Sequence, residues 1–156
     1  MSWDKDIKEI KQREKLALQQ GGKEAVEKQH HKGRKTLRER IEFILDKNSF
    51  DEIGKIAGSG VYDADEELKD FIPANFLLGF GKINERHVII GGEDFTLKGG
   101  SPNPAGLRKS IYTEDLALKY KIPLIRLHEG GGGSVTGSGG SAKKPTIPNS
   151  EPVFSK

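Results

Sequence analysis

The feature that most constrains this chain is the order of its apolar runs. Asn75 to Ile83 is rich in Phe, Leu and Gly, and His87-Val88-Ile89-Ile90 follows after only Asn84-Glu85-Arg86. Two strand-like runs across so short a turn predict a β-hairpin. The unbroken apolar stretch Val88 to Ile90 predicts burial on both faces of the sheet. A helix is expected from about Leu107 to Lys119, with Leu107, Ile111 and Leu118 on its inner side, and Ile122 to Leu127 reads as a third strand. Strand, helix, strand is a βαβ unit, which favours a parallel pair joined by a right-handed crossover. The fold class is therefore α/β.

The first thirty-odd residues differ in character. Residues 3–32 read as helical and highly charged, with a thin stripe at Trp3, Ile7, Ile10 and Ala17 that is too sparse for a buried helix. Gly21-Gly22 is expected to break this segment in two, leaving an arm that packs on a larger body or a partner. Thr36-Leu37-Arg38-Glu39 has the form of a capping box, in which the Thr hydroxyl and the Glu carboxylate each satisfy the other residue's backbone N–H. Behind it, Leu37, Ile41, Ile44 and Leu45 recur at helical spacing, and Phe50 and Ile53 add two anchors.

Charge is uneven. Residues 1–40 carry 12 Lys and Arg against 7 Asp and Glu, whereas the remainder is slightly acidic. The excess gathers between His30 and Arg40. Such a patch suits a polyanion, whether nucleic acid, an acidic surface or the phosphates of a cofactor, and it equally suits a solvated helix face. Cysteine is absent, which excludes disulfides, thiolate zinc sites and cysteine nucleophiles and makes cytoplasmic the default location. The N-terminus has acids and no apolar core, so a signal peptide is not expected, and no run approaches the roughly 20 apolar residues of a membrane helix.

The third strand runs into Gly130-Gly131-Gly132-Gly133-Ser134-Val135-Thr136-Gly137-Ser138-Gly139-Gly140, and a polar, proline-containing stretch follows to Lys156. Ligands bind at the carboxyl ends of strands in open α/β sheets. Glycines there let the backbone approach a ligand and offer peptide N–H groups to a developing oxyanion. A flexible Gly/Ser linker has the same composition. No Gly-Lys-Ser/Thr closes the tract as a phosphate-binding loop. His30-His31 reads as surface and His87 as a strand end, while His128 stands before the tract and within reach of a ligand there. Ser101, His128 and Asp94 have the residue types of a triad, but their spacing gives no support for its geometry. An enzyme built this way would rely on backbone electrostatics rather than a charged side chain. The polar tail without periodicity predicts a core whose covering elements are largely missing.

Three segments jointly resemble one family. Gly33-Arg34-Lys35-Thr36-Leu37-Arg38-Glu39-Arg40-Ile41-Glu42-Phe43-Ile44-Leu45-Asp46, followed by Ser49-Phe50-Asp51-Glu52, is similar to the opening segment of acyl-CoA carboxylase carboxyltransferase (beta) subunits, which reads Gly-Lys-Leu-Thr-Ala-Arg-Glu-Arg-Ile, Leu-Leu-Asp, then Ser-Phe. Gly79 to Asn84, Glu93-Asp94-Phe95-Thr96 and Gly99-Gly100-Ser101 resemble that family's Gly-x-Ile-Asn-Gly-Arg hairpin, Asp-Phe-Thr and Gly-Gly-Ser. Ile122-Pro123-Leu124-Ile125 resembles the strand leading to its Ser-Gly-Gly-Ala loop. Order and approximate spacing agree over residues 33–135.

The resemblance implies a crotonase-like fold of repeated ββα units, here an incomplete N-terminal lobe at 33–135 on the acyl-CoA side. A charged helical arm (1–32) precedes it and a Gly/Pro-rich tail (136–156) follows. It implies transfer of a carboxyl group from carboxybiotin to the α-carbon of an acyl-CoA, by a chain inactive alone. Decarboxylase subunits of biotin-dependent sodium pumps share the lobe, and a non-catalytic assembly module gripping a polyanion is the reading from another class. The implied site has backbone oxyanion donors at Gly131, Gly132 and Gly133 and substrate contacts at Arg34, Lys35, Arg38, Arg40, Phe95, Gly99, Gly100 and Ser101. The implied partners are acyl-CoA, a biotin carboxylase or biotin carboxyl carrier subunit bearing the biotin, and further copies of the carboxyltransferase chain, without metal, nucleic acid or membrane. One departure stands out: Glu129-Gly130-Gly131-Gly132-Gly133-Ser134 replaces the family's Ser-Gly-Gly-Ala-Arg, so the resemblance fixes the donor peptide only to within a residue or two.

Overall fold

The computed structural model of the chain describes residues 3–101 and 103–129. The charged arm forms two helices, α1 (Asp4–Ala17) and α2 (Lys23–His31), parted at Gly21-Gly22 as their composition requires. Only Ala17 of the thin apolar stripe is buried; Trp3 is 73% exposed, and Ile7 and Ile10 are also exposed. Thr36 then caps α3 (Leu37–Ile44), and the capping box is complete. The Glu39 carboxylate accepts from the Thr36 N–H at 2.7 Å and from His30 Nε2 at 2.9 Å. These bonds, the Thr36 N–H foremost, hold the Glu39 carboxyl below its ordinary range.

After α3 come the short strand β1 (Asp51–Glu52), then β2 (Gly58–Tyr62) and β3 (Leu68–Pro73). The expected hairpin is β4 (Phe76–Ile83) and β5 (Arg86–Glu93), antiparallel in full register from Phe76 opposite Glu93 to Ile83 opposite Arg86. Its turn is two residues, with Asn84 and Glu85 both at positive φ (48° and 64°), the geometry whose twist matches paired strands. The Asp46 carboxylate steadies that turn by accepting both backbone N–H groups, at 3.0 and 2.8 Å. The long helix is α4 (Pro104–Tyr120), opened by Asn103, whose side chain accepts from the Gly106 N–H at 2.6 Å. It leads to β6 (Leu124–Leu127), which pairs parallel with β5, as a βαβ unit requires.

One sheet has the order β1-β4-β5-β6, and β2 with β3 form a separate two-stranded ribbon. Both faces of the larger sheet are covered. Leu37, Ile41 and Leu45, from α3 and its end, pack with Leu77, Val88, Ile90 and Leu127 on one side. Leu116 and Ala117 of α4 pack with Phe76, Leu78 and Ile89 on the other. Burial of each such side chain is worth roughly 2 kcal/mol, so these two layers, and not the arm with its single buried alanine, carry the fold. The expectation of a core without covering elements is thus corrected for the described residues. The expected inner face of α4 also needs correction. Gly106, Lys109, Thr113, Leu116 and Ala117 are buried, while Leu118 is 51% exposed and Leu107 and Ile111 are half-buried. The ribbon was absent from the sequence reading; its β2 is exposed at four of five positions, so alternation has nothing to mark.

Candidate functional site

Gly92 stands beside Leu127 at the carboxyl ends of β5 and β6, and the segments that leave those strands meet there. From β5 come Glu93, buried Asp94, Phe95 and Thr96, followed by a tight turn at Lys98–Gly100. From β6 come His128 and Glu129. Gly100 adopts φ +72° and is wedged in: a Cβ there would stand 3.1 Å from the Phe95 ring and 3.6 Å from the Glu129 carbonyl. The fold therefore brings Phe95, Gly99, Gly100 and Ser101 together on one turn that borders the end of β6.

This turn is tied down from below by Asn75, which is buried. Its carbonyl accepts from the Asp94 N–H at 2.9 Å, its side-chain oxygen accepts from the Asn103 N–H at 3.2 Å, and its amide donates to the Ser101 carbonyl. Asp94 Oδ1 accepts from the Thr96 hydroxyl at 2.6 Å and the Thr96 N–H at 3.0 Å. Burial nevertheless pushes its carboxyl up, more than those bonds and the Arg38 charge pull it down. Gly21, at the joint of the arm, donates its N–H to the Thr96 hydroxyl at 2.9 Å. The backbones approach so closely that any Cβ at 21 would collide with the Thr96 carbonyl.

The basic stretch divides. Arg34 Nη1 reaches Glu129 Oε1 at 3.3 Å and Arg40 Nη1 reaches Glu129 Oε2 at 3.6 Å. Arg34, Lys35, Arg40 and Glu129 line one open groove, with three cations to one carboxylate. Arg38 turns the other way and pairs with Glu52 at 2.9 Å, so it does not join the other three as an anion ligand. Lys35 is exposed, its ammonium 5.8 Å from the Phe43 ring centre. Gly131, Gly132 and Gly133 lie outside the described residues.

No triad forms from Ser101, His128 and Asp94. Asp94 is engaged by Thr96, His128 Nδ1 stands 3.4 Å from Glu93 Oε2, and the buried Ser101 hydroxyl has no hydrogen-bond partner. Among the described residues, no group of three or more His, Asp or Glu could hold a metal ion. Five contributors to the region were not among the site residues expected from the sequence: Gln29, Asn75, Glu93, Arg126 and Glu129. Arg126, in mid-strand, donates to the Ser110 hydroxyl at 2.7 Å, lies 4.9 Å from the Phe76 ring centre and stands 3.9 Å from Glu93. A charged residue within an otherwise apolar strand was the signal that could have flagged it.

Comparison with known proteins bears on this arrangement. Residues 28–143 match the carboxyl transferase domain family. A propionyl-CoA carboxylase beta chain of Cereibacter sphaeroides is 36% identical over 134 residues, covering 84% of this chain and 26% of the relative. The methylmalonyl-CoA decarboxylase subunit alpha of Veillonella parvula is 33% identical over 115 residues, covering 74% and 23%. Among solved structures, a transcarboxylase 12S hexamer with methylmalonyl-coenzyme A and methylmalonic acid bound is 29% identical. It covers 81% of this chain and 25% of that one, with a TM-score of 0.66. The chain thus spans about a quarter of the length of these relatives.

Proposed function

This chain belongs to the carboxyl transferase domain family, and from that premise we propose that it furnishes the acyl-CoA side of a carboxyltransferase moving a carboxyl group onto the α-carbon of an acyl thioester. The observation that carries the reading is the meeting, at the carboxyl ends of β5 and β6, of the Gly99-Gly100-Ser101 turn with a basic groove at the root of the glycine tract.

Each part has a chemical role. Lys35, with the charge that Arg34 and Arg40 have left over from Glu129, gives the groove an excess of positive charge suited to the phosphates of CoA. The turn at Gly99, Gly100 and Ser101, with Phe95 against it, bounds the way from that groove to the strand ends. Removing the α-proton of a thioester puts negative charge on its carbonyl oxygen. Peptide N–H groups of Gly131, Gly132 or Gly133 would meet that charge, each worth about 3–4 kcal/mol in the transition state. Carboxybiotin, carried on a biotin carboxyl carrier partner, would supply the carboxyl group, and the ureido nitrogen it leaves would be the acceptor for the α-proton. In this reading its pocket belongs to a second lobe from another copy of the carboxyltransferase chain. The arm, the lobe at 33–135 and the tail at 136–156 then act as parts of a larger assembly built on ββα units. The likeness to a decarboxylase subunit supports a second reading, in which the same thioester site serves the reverse transfer.

Gly132→Pro, with Gly139→Pro as its control, tests the assignment in the assembled enzyme. Proline removes an N–H outright. Loss of turnover in Gly132→Pro alone, with acyl-CoA affinity falling less than kcat, is the expected result, because the oxyanion charge develops only after binding. Equal tolerance at both positions would make the tract a linker and end the assignment.

A further inference from the structure

The Glu129 carboxylate accepts two hydrogen bonds and faces a third, cationic side chain, all from much earlier in the chain. Gln29 Nε2 of α2 donates to Oε1 at 2.8 Å, Arg34 Nη1 reaches the same oxygen at 3.3 Å, and Arg40 Nη1 of α3 reaches Oε2 at 3.6 Å. Gln29 is the sole buried residue of an otherwise charged helix, with 4% exposure. A buried amide is costly unless bonded, so its placement makes sense only with the carboxylate in front of it. The Gln29 carbonyl also accepts the Arg34 N–H at 3.1 Å, which sets the arginine beside the same target. The backbone of Glu129 is confined too, its carbonyl lying against the Gly100 turn. Both halves of the residue are therefore fixed where β6 ends.

We infer that Glu129 is a positioning residue, whose clamped carboxylate fixes the end of β6 for the transfer reaction. The inference rests on the functional reading above. Glycine is the least constrained of residues, so donors carried on a run of glycines need an anchor at their root. A carboxylate that accepts from Gln29 and Arg34 and is faced by the charge of Arg40 is such an anchor. It gives the cations at 34 and 40 a first duty distinct from binding an anion. A misplacement of about 1 Å in donor geometry can cost roughly a hundredfold in rate, which makes the anchor kinetically visible.

The experiment compares Glu129→Gln and Glu129→Asp with wild type in the assembled enzyme, reading kcat and KM for acyl-CoA together with backbone amide exchange from residue 127 onward. In Glu129→Gln we expect kcat to fall roughly tenfold to a hundredfold at little-changed KM, with faster exchange at the end of β6. Glu129→Asp should recover part of both. If Arg34 and Arg40 serve only an anion, Glu129→Gln instead frees two cations, lowers KM and leaves kcat alone; that result overturns the inference. Unchanged exchange overturns it as well. A wild-type enzyme that turns over no acyl-CoA refutes the functional reading, while exchange still decides whether Glu129 clamps the strand end.

Discussion

Arg38 Nη1 donates to Glu52 Oε2 at 2.9 Å, and the two side chains are only 16% and 7% exposed. Breaking such a pair from one side strands the other charge in the interior, which costs roughly 3–5 kcal/mol. Arg38→Ala should therefore lower unfolding stability by that order in urea titration, without raising KM for acyl-CoA in the molecules that remain folded. A raised KM at unchanged stability would return Arg38 to the anion groove.

Lys35 differs from Arg34 in having no carboxylate partner among the described residues; its ammonium lies against the Phe43 ring. Lys35→Glu should raise KM for acyl-CoA at low ionic strength and much less at about 0.5 M salt, where the screening length falls to a few ångströms. An effect of equal size at both salt concentrations would point to a packing defect instead.

Lys109 lies on the buried side of α4 at 9% exposure, with Nζ 3.3 Å from the Gly54 carbonyl. Burial lowers its amine from 10.5 to about 8, opposed by the Glu52 charge and assisted by that of Arg38. Between those values the unfolded chain holds a proton that the folded chain releases. Stability from this group is present above 10.5 and lost as pH falls to about 8. Lys109→Met should abolish that slope and stabilise the protein at pH 7 by up to about 3 kcal/mol. The check is Tm measured at pH 7 and across pH 8–10; an unchanged slope would show that the amine stays solvated.

Asp94 has the opposite sign. Its raised carboxyl is cheapest when protonated, so its stability is fully present below the ordinary carboxylate range and is lost as pH rises through its folded value. Asp94→Asn keeps an oxygen to accept from Thr96 and removes the ionisation. The difference in stability between variant and wild type should then grow in the variant's favour on going from acid to neutral pH. A constant difference would mean that the carboxylate is no worse buried than its amide.

What the sequence made legible is what its local chemistry dictates. The capping box at Thr36, the break at Gly21-Gly22, the β4–β5 hairpin and the parallel β6 each follow from spacing or turn composition within a few residues. The β2–β3 ribbon was not legible, because Gly58-Ser59-Gly60-Val61-Tyr62 shows no alternation. It is supported from outside, with Arg13 of α1 lying 5.9 Å from the Tyr62 ring and 5.7 Å from that of Phe71. The face of α4 misled for a related reason: a lysine and a threonine are buried there while a leucine is exposed. In the candidate site, Gly99, Gly100 and the basic stretch were visible as motifs. The Gln29–Glu129 bond was not, since it joins residues 100 apart and neither belongs to a pattern.

The seat of the arm has a consequence for the order of assembly. Gly21 rests on Thr96, seventy-five positions later in the chain, and Gln12 donates to the Leu68 carbonyl. During synthesis the arm emerges well before the surfaces that receive it, which do not exist until residue 96 has left the ribosome. The arm is thus made before its seat, and its docking runs against the direction of translation. For that interval the arm is a charged, weakly apolar segment waiting in solvent, which is what its sparse stripe and high charge are suited to withstand.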